Sequence, residues 1–194
     1  MEKLTRETLY SLEKYSELRK DFRDEVMAHK QNRRLALGTN ASLYFEDRLT
    51  MQYQVQEMLR IERIFEADGI QEELDAYNPL IPDGSKWKAT FMVEFPDIDE
   101  RRAMLTRLVG IEDCVWLQVG EFDPIRPIAD EDLERSDDDK TSAVHFMRFE
   151  LSAEEVDALK SGATLAAGID HENYQVDVRP VADNIRKSLI ADLD

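Results

Sequence analysis

Apolar residues in the first third of the chain recur at helical spacing. Leu9, Leu12, Leu18, Phe22 and Val26 keep one stripe, which His29 continues, and the spacing predicts a helix from Thr5 to about Arg34. Thr5 stands where a cap belongs, with Glu7 in the first turn. A break near Tyr15-Ser16 would divide this stretch into two helices. A second stripe, Met51, Val55, Met58 and Phe65 with Leu59 beside it, predicts a helix from Asp47 to about Glu66, ended by Gly69. Between the two, Gly38-Thr39-Asn40 marks a turn, so residues 34–37 and 42–45 read as a short hairpin. Glu72 to Tyr77 reads as a short helix stopped by Asn78-Pro79.

From Trp87 the pattern changes. Residues 88–95 read as a strand, 99–108 as a helix ended by Gly110, and 114–119 as a strand. After a long acidic connection, 143–151 reads as a strand. Ser152 then opens a helix to Lys160 with Glu155 at capping-box spacing. Residues 164–169 form a strand, His171-Glu172-Asn173 a turn, 174–178 a strand, and 183–193 a closing helix. From 87 to 170 the order is β-α-β, loop, β-α-β. That order predicts an α+β fold in which a ferredoxin-like antiparallel sheet carries both helices on one face. The chain divides into a helical region with a hairpin, 1–84, and a sheet domain, 85–194, with an acidic loop at 130–140. Seven carboxylates within residues 130–139 repel one another and bring little apolar surface, which predicts the most mobile internal segment.

Charge sharpens this division. Residues 1–66 carry 12 basic and 12 acidic side chains, whereas residues 67–194 carry 13 and 30, so the whole net charge of −17 lies in the second part. Such an excess of carboxylates disfavours sequence-independent nucleic-acid binding, which works by neutralising phosphates. No apolar run reaches the roughly 18–20 residues that span a bilayer. The charged N-terminal residues lead us to expect no secretory leader and a cytoplasmic protein. One cysteine, Cys114, excludes an intrachain disulfide and a cysteine-based zinc cluster.

The common chemical motifs are absent: the seven glycines are scattered singly, and there is no nucleophile elbow and no His-Glu-x-x-His pair. Polar chemistry is densest between Glu25 and Glu66. His29 extends the apolar stripe of the first helix, with Glu25 one turn earlier. Glu62 falls on the line from Val55 and Met58 to Phe65, so it should be partly buried and need a partner, either His29 or one of Arg33 and Arg34. Two readings stand. One is a polar pocket with His29 as acid/base and Glu57 or Glu62 as carboxylate, and with Arg33, Arg34, Glu46 and Arg48 as ligand contacts. The other is a satisfied core histidine among ordinary interhelical ion pairs. Cys114 reads as a small core residue, His171 as solvated in a turn, and His145 as facing the sheet core without a role. No metal is assigned and any cofactor is left open.

Several runs carry a resemblance: Val26-Met27-Ala28-His29-Lys30, Phe45-Glu46-Asp47-Arg48-Leu49-Thr50, Tyr53 to Arg60, and Ala76 to Gly84 followed by Lys88 to Met92. Over nearly the whole chain they resemble a bacterial family, number 3501 among the domains of unknown function. The resemblance implies a bacterial cytoplasmic protein, often encoded near rubrerythrin-like and iron–sulfur oxidoreductase genes. It carries over no activity. The leading expectation is therefore an accessory factor acting through protein contacts, as a homo-oligomer such as a dimer and with a redox partner. The alternative is an enzyme or small-molecule binder using His29, Glu57 and Glu62.

Overall fold

A computed structural model describes residues 1–133, 135–137 and 139–194. The first helix is shorter than its apolar stripe. Thr5 caps only a 3-10 turn, Arg6–Thr8, and α1 runs Leu12–Gln31 with Ser11 Oγ accepting from the Lys14 amide. The break thus precedes Ser11, and Tyr15-Ser16 lies inside the helix. The hairpin forms as expected, β1 (Arg34–Ala36) against β2 (Ala41–Glu46), with Gly38 at φ 78°, a value glycine adopts without strain.

Asp47 caps α2 (Arg48–Glu62) in a reciprocal pair with Thr50. The helix ends at Arg63 in the left-handed region rather than at Gly69, which falls in the first turn of α3 (Ala67–Tyr77). The rest of the chain gives β3 (Lys86–Val93), α4 (Ile98–Arg107), α5 (Ile111–Cys114), β4 (Val115–Val119) and β5 (Ile128–Ala129). Then follow β6 (Val144–Glu150), α6 (Ala153–Lys160), β7 (Leu165–His171), β8 (Tyr174–Val178) and α7 (Asp183–Ile190).

The fold is α+β with antiparallel sheets, but its strands do not form one ferredoxin-like sheet. Order β1-β2-β3-β6-β5 makes a five-stranded sheet and β4-β7-β8 a three-stranded one. In a ferredoxin-like sheet the first strand pairs with the third and fourth and the second with the third, all antiparallel. Here the first and third, β3 and β6, do pair, but the second and fourth, β4 and β7, pair with each other in a separate sheet. The reason lies in competing edges. The β1–β2 hairpin occupies one edge of β3, and β8 occupies the free edge of β7, so each βαβ unit sends its two strands to different sheets. Residues 41–46 therefore share a sheet with residues of the C-terminal part.

One core joins the two sheets. Alternation along β3 turns Trp87, Ala89, Phe91 and Val93 inward, toward Leu117, Leu165, Ala167 and Ile169 of the smaller sheet. Trp87 is fully buried, meets Phe45 edge to face, and donates its indole N–H to the Leu189 carbonyl at 3.0 Å, tying α7 to the core. The opposite face of the five-stranded sheet carries Tyr44, Glu46, Lys88, Thr90, Met92 and Phe146, and over it lies the N-terminal helical layer. That layer has two small cores of its own. Tyr15, Phe22 and Val26 of α1 pack on Leu49 and Tyr53, while Met51, Val55 and Leu59 pack on Leu74 and Ile81.

Candidate functional site

The division of α2 between two packing faces decides where the sequence-selected carboxylates go. Val55 turns toward α3, and Phe65, expected on the same buried line, is 66% exposed. Glu62 is exposed with it and meets no histidine. Glu57 lies on the α1 side, where Tyr15 Oη donates to it at 2.7 Å and Arg19 grips it through Nε and Nη2, each at 2.8 Å. The Arg19 guanidinium, with help from Tyr15, holds the Glu57 carboxyl down to about 2 against the opposing effect of burial. Burial and Glu57 in turn push the Tyr15 phenol up.

The sign of the Glu57 effect follows by linkage. A carboxyl depressed in the folded state contributes stability that is present above its ordinary value of 4.5 and is lost as pH falls toward about 2. Glu57→Gln should therefore lower the thermal midpoint at neutral pH, and the gap from the parent protein should close on acidification through that window. Thermal melts of both proteins across pH check this; a constant gap would mean that packing, not charge, accounts for the loss.

His29 is half-buried rather than buried, and its partner is neither Glu57 nor Glu62. Its Nε2 lies 2.5 Å from Asp47 Oδ2, because the N-cap of α2 sets that carboxylate beside the last turn of α1. Arg33 joins the same cluster. It is 2% exposed, lies 3.3 Å from Asp47, pairs with Asp192 at 2.5 Å, and donates to the carbonyls of Phe45 and Glu46. Burial pushes the Asp192 carboxyl up, with Arg33 opposing. These contacts join the hairpin to the C-terminal residues and leave Arg33 no surface for a ligand. Arg34 donates to Ser42 Oγ at 3.2 Å and lies over the Tyr44 ring, while Arg48 sits half-buried in the first turn of α2. The expected pocket of His29, Glu57 and Glu62 does not assemble.

Glu46 does reach a cavity. The outer sheet face and the helical layer enclose a cleft of about 460 Å³, bounded by Tyr44, Glu46, Thr90 and Phe146 below and by Lys30 and Tyr77 above. A second hollow of about 550 Å³ shares Tyr77, Leu80 and Phe146 with it and reaches Lys88 and Arg148. Glu46 is 9% exposed; Thr50 donates to one carboxylate oxygen at 2.7 Å and Thr90 to the other at 2.8 Å. The sequence holds a signal for this grouping. Strand alternation sets Ser42, Tyr44 and Glu46 on one face of β2 and Lys88, Thr90 and Met92 on one face of β3. Only the pairing of β2 with β3 brings the two sets together.

A second polar cluster lies on the core side. His145 is fully buried, with Nδ1 2.6 Å from Asp130 Oδ2 and Nε2 2.9 Å from Thr141 Oγ1. Thr141 donates to Glu112 at 3.1 Å, and Ser136 Oγ also donates to Glu112. Hydroxyl, imidazole and carboxylate stand in relay order, but both His145 and Thr141 are sealed from solvent, so the relay acts as an anchor. It fixes the ends of the acidic segment, which Arg135 further ties to Asp130 and Asp132. The sequence placed His145 inward correctly and missed these partners, which are remote along the chain.

His171, expected in solvent, is buried with Nε2 3.1 Å from the Val109 carbonyl. Burial, and then Asp170, push the half-buried Cys114 thiol up, away from nucleophilic use. Among the described residues no group of three or more His, Cys, Asp or Glu side chains is arranged to hold a metal ion, and no helix is long and apolar enough to cross a membrane.

Comparison with known proteins places this geometry in a lineage. The chain is similar to a crystal structure described as a novel protein of unknown function from Burkholderia pseudomallei K96243 at 1.90 Å resolution, with 49% identity, a TM-score of 0.94 and 100% of each chain covered. No curated protein matches the chain. The family profile described as protein of unknown function (DUF3501) matches residues 3–193, and the chain belongs to that family.

Proposed function

We propose that this protein binds a small molecule, and that the ligand occupies the cleft between the helical layer and the outer face of the five-stranded sheet. The observation that carries this reading is the cleft itself. At about 460 Å³, with a contiguous hollow of about 550 Å³, it falls within the roughly 300–1,000 Å³ of ligand sites. Its lining supports the reading too: aromatic and aliphatic walls from Tyr44, Tyr77, Leu80, Met92 and Phe146 surround a few polar groups, Glu46, Thr90 and Gln54. Sheet residues form its floor, and a floor set by strand pairing holds its side chains more rigidly than a loop would. The catalytic alternative built on His29, Glu57 and Glu62 gives way to a binding role, because His29 pairs with Asp47, Glu57 with Arg19, and Glu62 is exposed apart from both.

Two-dimensional amide spectra of the protein, titrated with the low-molecular-weight extract of the cells that make it, test the reading. Shifts clustered at Tyr44, Thr90, Met92 and Phe146 are expected. Spectra that do not move at these positions, or shifts scattered over the surface, would overturn it.

A further inference from the structure

We infer that the cleft takes a small organic cation, an amine or quaternary ammonium whose charge sits against Glu46; this rests on the cleft being a ligand site. Glu46 is a carboxylate nine-tenths removed from solvent and, among the described residues, held by two neutral hydroxyls, those of Thr50 and Thr90. No Lys, Arg or His nitrogen among the described residues lies within 4.0 Å of it. None of the basic groups nearby pairs with it. Arg33 is spent on Asp47 and Asp192. The Lys30 ammonium lies 5.8 Å from the centroid of the Tyr53 ring. Lys88, opposite Glu46 in the β2–β3 register, makes no ion pair with it.

A buried carboxylate without an ion-pair partner is costly, and each of its oxygens keeps a lone pair after the threonine bonds. A ligand ammonium supplies the missing charge. The cavity walls suit the same ligand: Tyr44, Tyr77 and Phe146 line it, and aromatic faces attract cations. Two of these rings already hold guanidinium groups, Arg34 over Tyr44 at 5.5 Å and Arg135 over Phe146 at 4.6 Å from the centroid. An anion would meet Glu46 at close range in a low-dielectric cleft and be repelled.

The test uses the full chain and three probes of similar size: choline, its uncharged isostere dimethylbutanol, and butyrate. Isothermal titration gives the affinities, and amide shifts at Tyr44 and Thr90 give the location. Choline should bind at least about tenfold more tightly than dimethylbutanol, and butyrate should be the weakest. Glu46→Gln should abolish the preference for choline, whereas Glu154→Gln, which removes an exposed charge from α6, should leave it intact. The comparison of choline with its isostere in the parent protein needs no variant, so the proposal stays testable if Glu46→Gln fails to fold. Equal affinities for choline and dimethylbutanol, with cleft shifts from both, would overturn the cation class and leave the cleft as a site. A choline preference that survives Glu46→Gln would overturn Glu46 as its anchor. If none of the three probes moves the cleft resonances, both the class and the cleft reading fail.

Discussion

Replacing Arg33 with alanine should lower the free energy of unfolding by about 3–5 kcal/mol at neutral pH, one of the largest single-residue effects in this chain. The guanidinium is 2% exposed, and all three of its nitrogens are in use. Nε donates to the Phe45 carbonyl at 2.9 Å and Nη2 to the Glu46 carbonyl at 3.1 Å, two acceptors at the end of β2. Nη1 and Nη2 both reach the carboxylate of Asp192, itself 4% exposed, and Nη1 also meets Ser188. Alanine would leave a buried carboxylate without its cation and would remove the side-chain donors to two carbonyls. Lysine would recover little, because one ammonium cannot replace a planar fork that serves four acceptors. The double variant Arg33→Met with Asp192→Leu should regain much of the loss, since a hydrophobic pair in place of a buried ion pair is often neutral.

The pH dependence adds a second check on Arg33. Burial already raises the folded-state Asp192 carboxyl, and losing Arg33 raises it further. A group whose folded value lies above its unfolded one binds protons more readily when folded, so the variant regains stability as pH falls. Urea unfolding at about pH 7 and about pH 5 should show the gap between Arg33→Ala and the parent narrowing at the lower pH. A cost below about 1 kcal/mol would mean that the C-terminal residues do not depend on this clamp.

Local signals and long-range pairing account for what the sequence does and does not reveal. Alternation along 86–93 is strong enough to place Trp87, Ala89, Phe91 and Val93 inward from sequence alone. The caps at Asp47 and Ser152 are readable for the same reason, since each closes its hydrogen bonds within three residues. Sheet membership is not local. The order β-α-β twice over fits one sheet or two, and the edge occupied by the β1–β2 hairpin settles it. β5 has two residues, too few to carry a period. His29 shows the same limit on a helix. Spacing fixes the face it points from, but the group opposite is Asp47, placed by the start of α2 rather than by the stripe along it. Glu46 was legible as a polar residue at a strand end; that Thr90, 44 residues onward, would meet it was not.

The acidic segment gives the sharpest contrast between composition and packing, and a protease can read it. Seven carboxylates in ten residues predict a free loop, yet the described part of this segment is held at several points. Asp130 meets His145 and the Phe146 amide, Glu131 meets Arg148, and Ser136 meets Glu112. Arg135 is engaged by Asp132 at 2.7 Å and by Asp130 at 3.2 Å, and its guanidinium lies over the Phe146 ring. Trypsin needs an arginine presented in extended, mobile chain, so the bond after Arg135 should resist cleavage in the parent protein. His145→Ala removes the imidazole that joins Asp130 to Thr141 and leaves Asp130 short of a partner in a largely buried position. The cost should be about 2–4 kcal/mol, with the segment released before the rest of the fold. Thr141→Val keeps volume while breaking the link to Glu112, and should have a smaller effect of the same kind. Mass spectrometry of a timed digest checks the order of events. Cleavage after Arg135 should rise at least about tenfold in His145→Ala while the bond after Arg107, at the end of α4, stays protected. Equal rates after Arg135 in the parent and the variant would show that the buried histidine does not hold the segment, and the acidic run would then behave as its composition alone predicts.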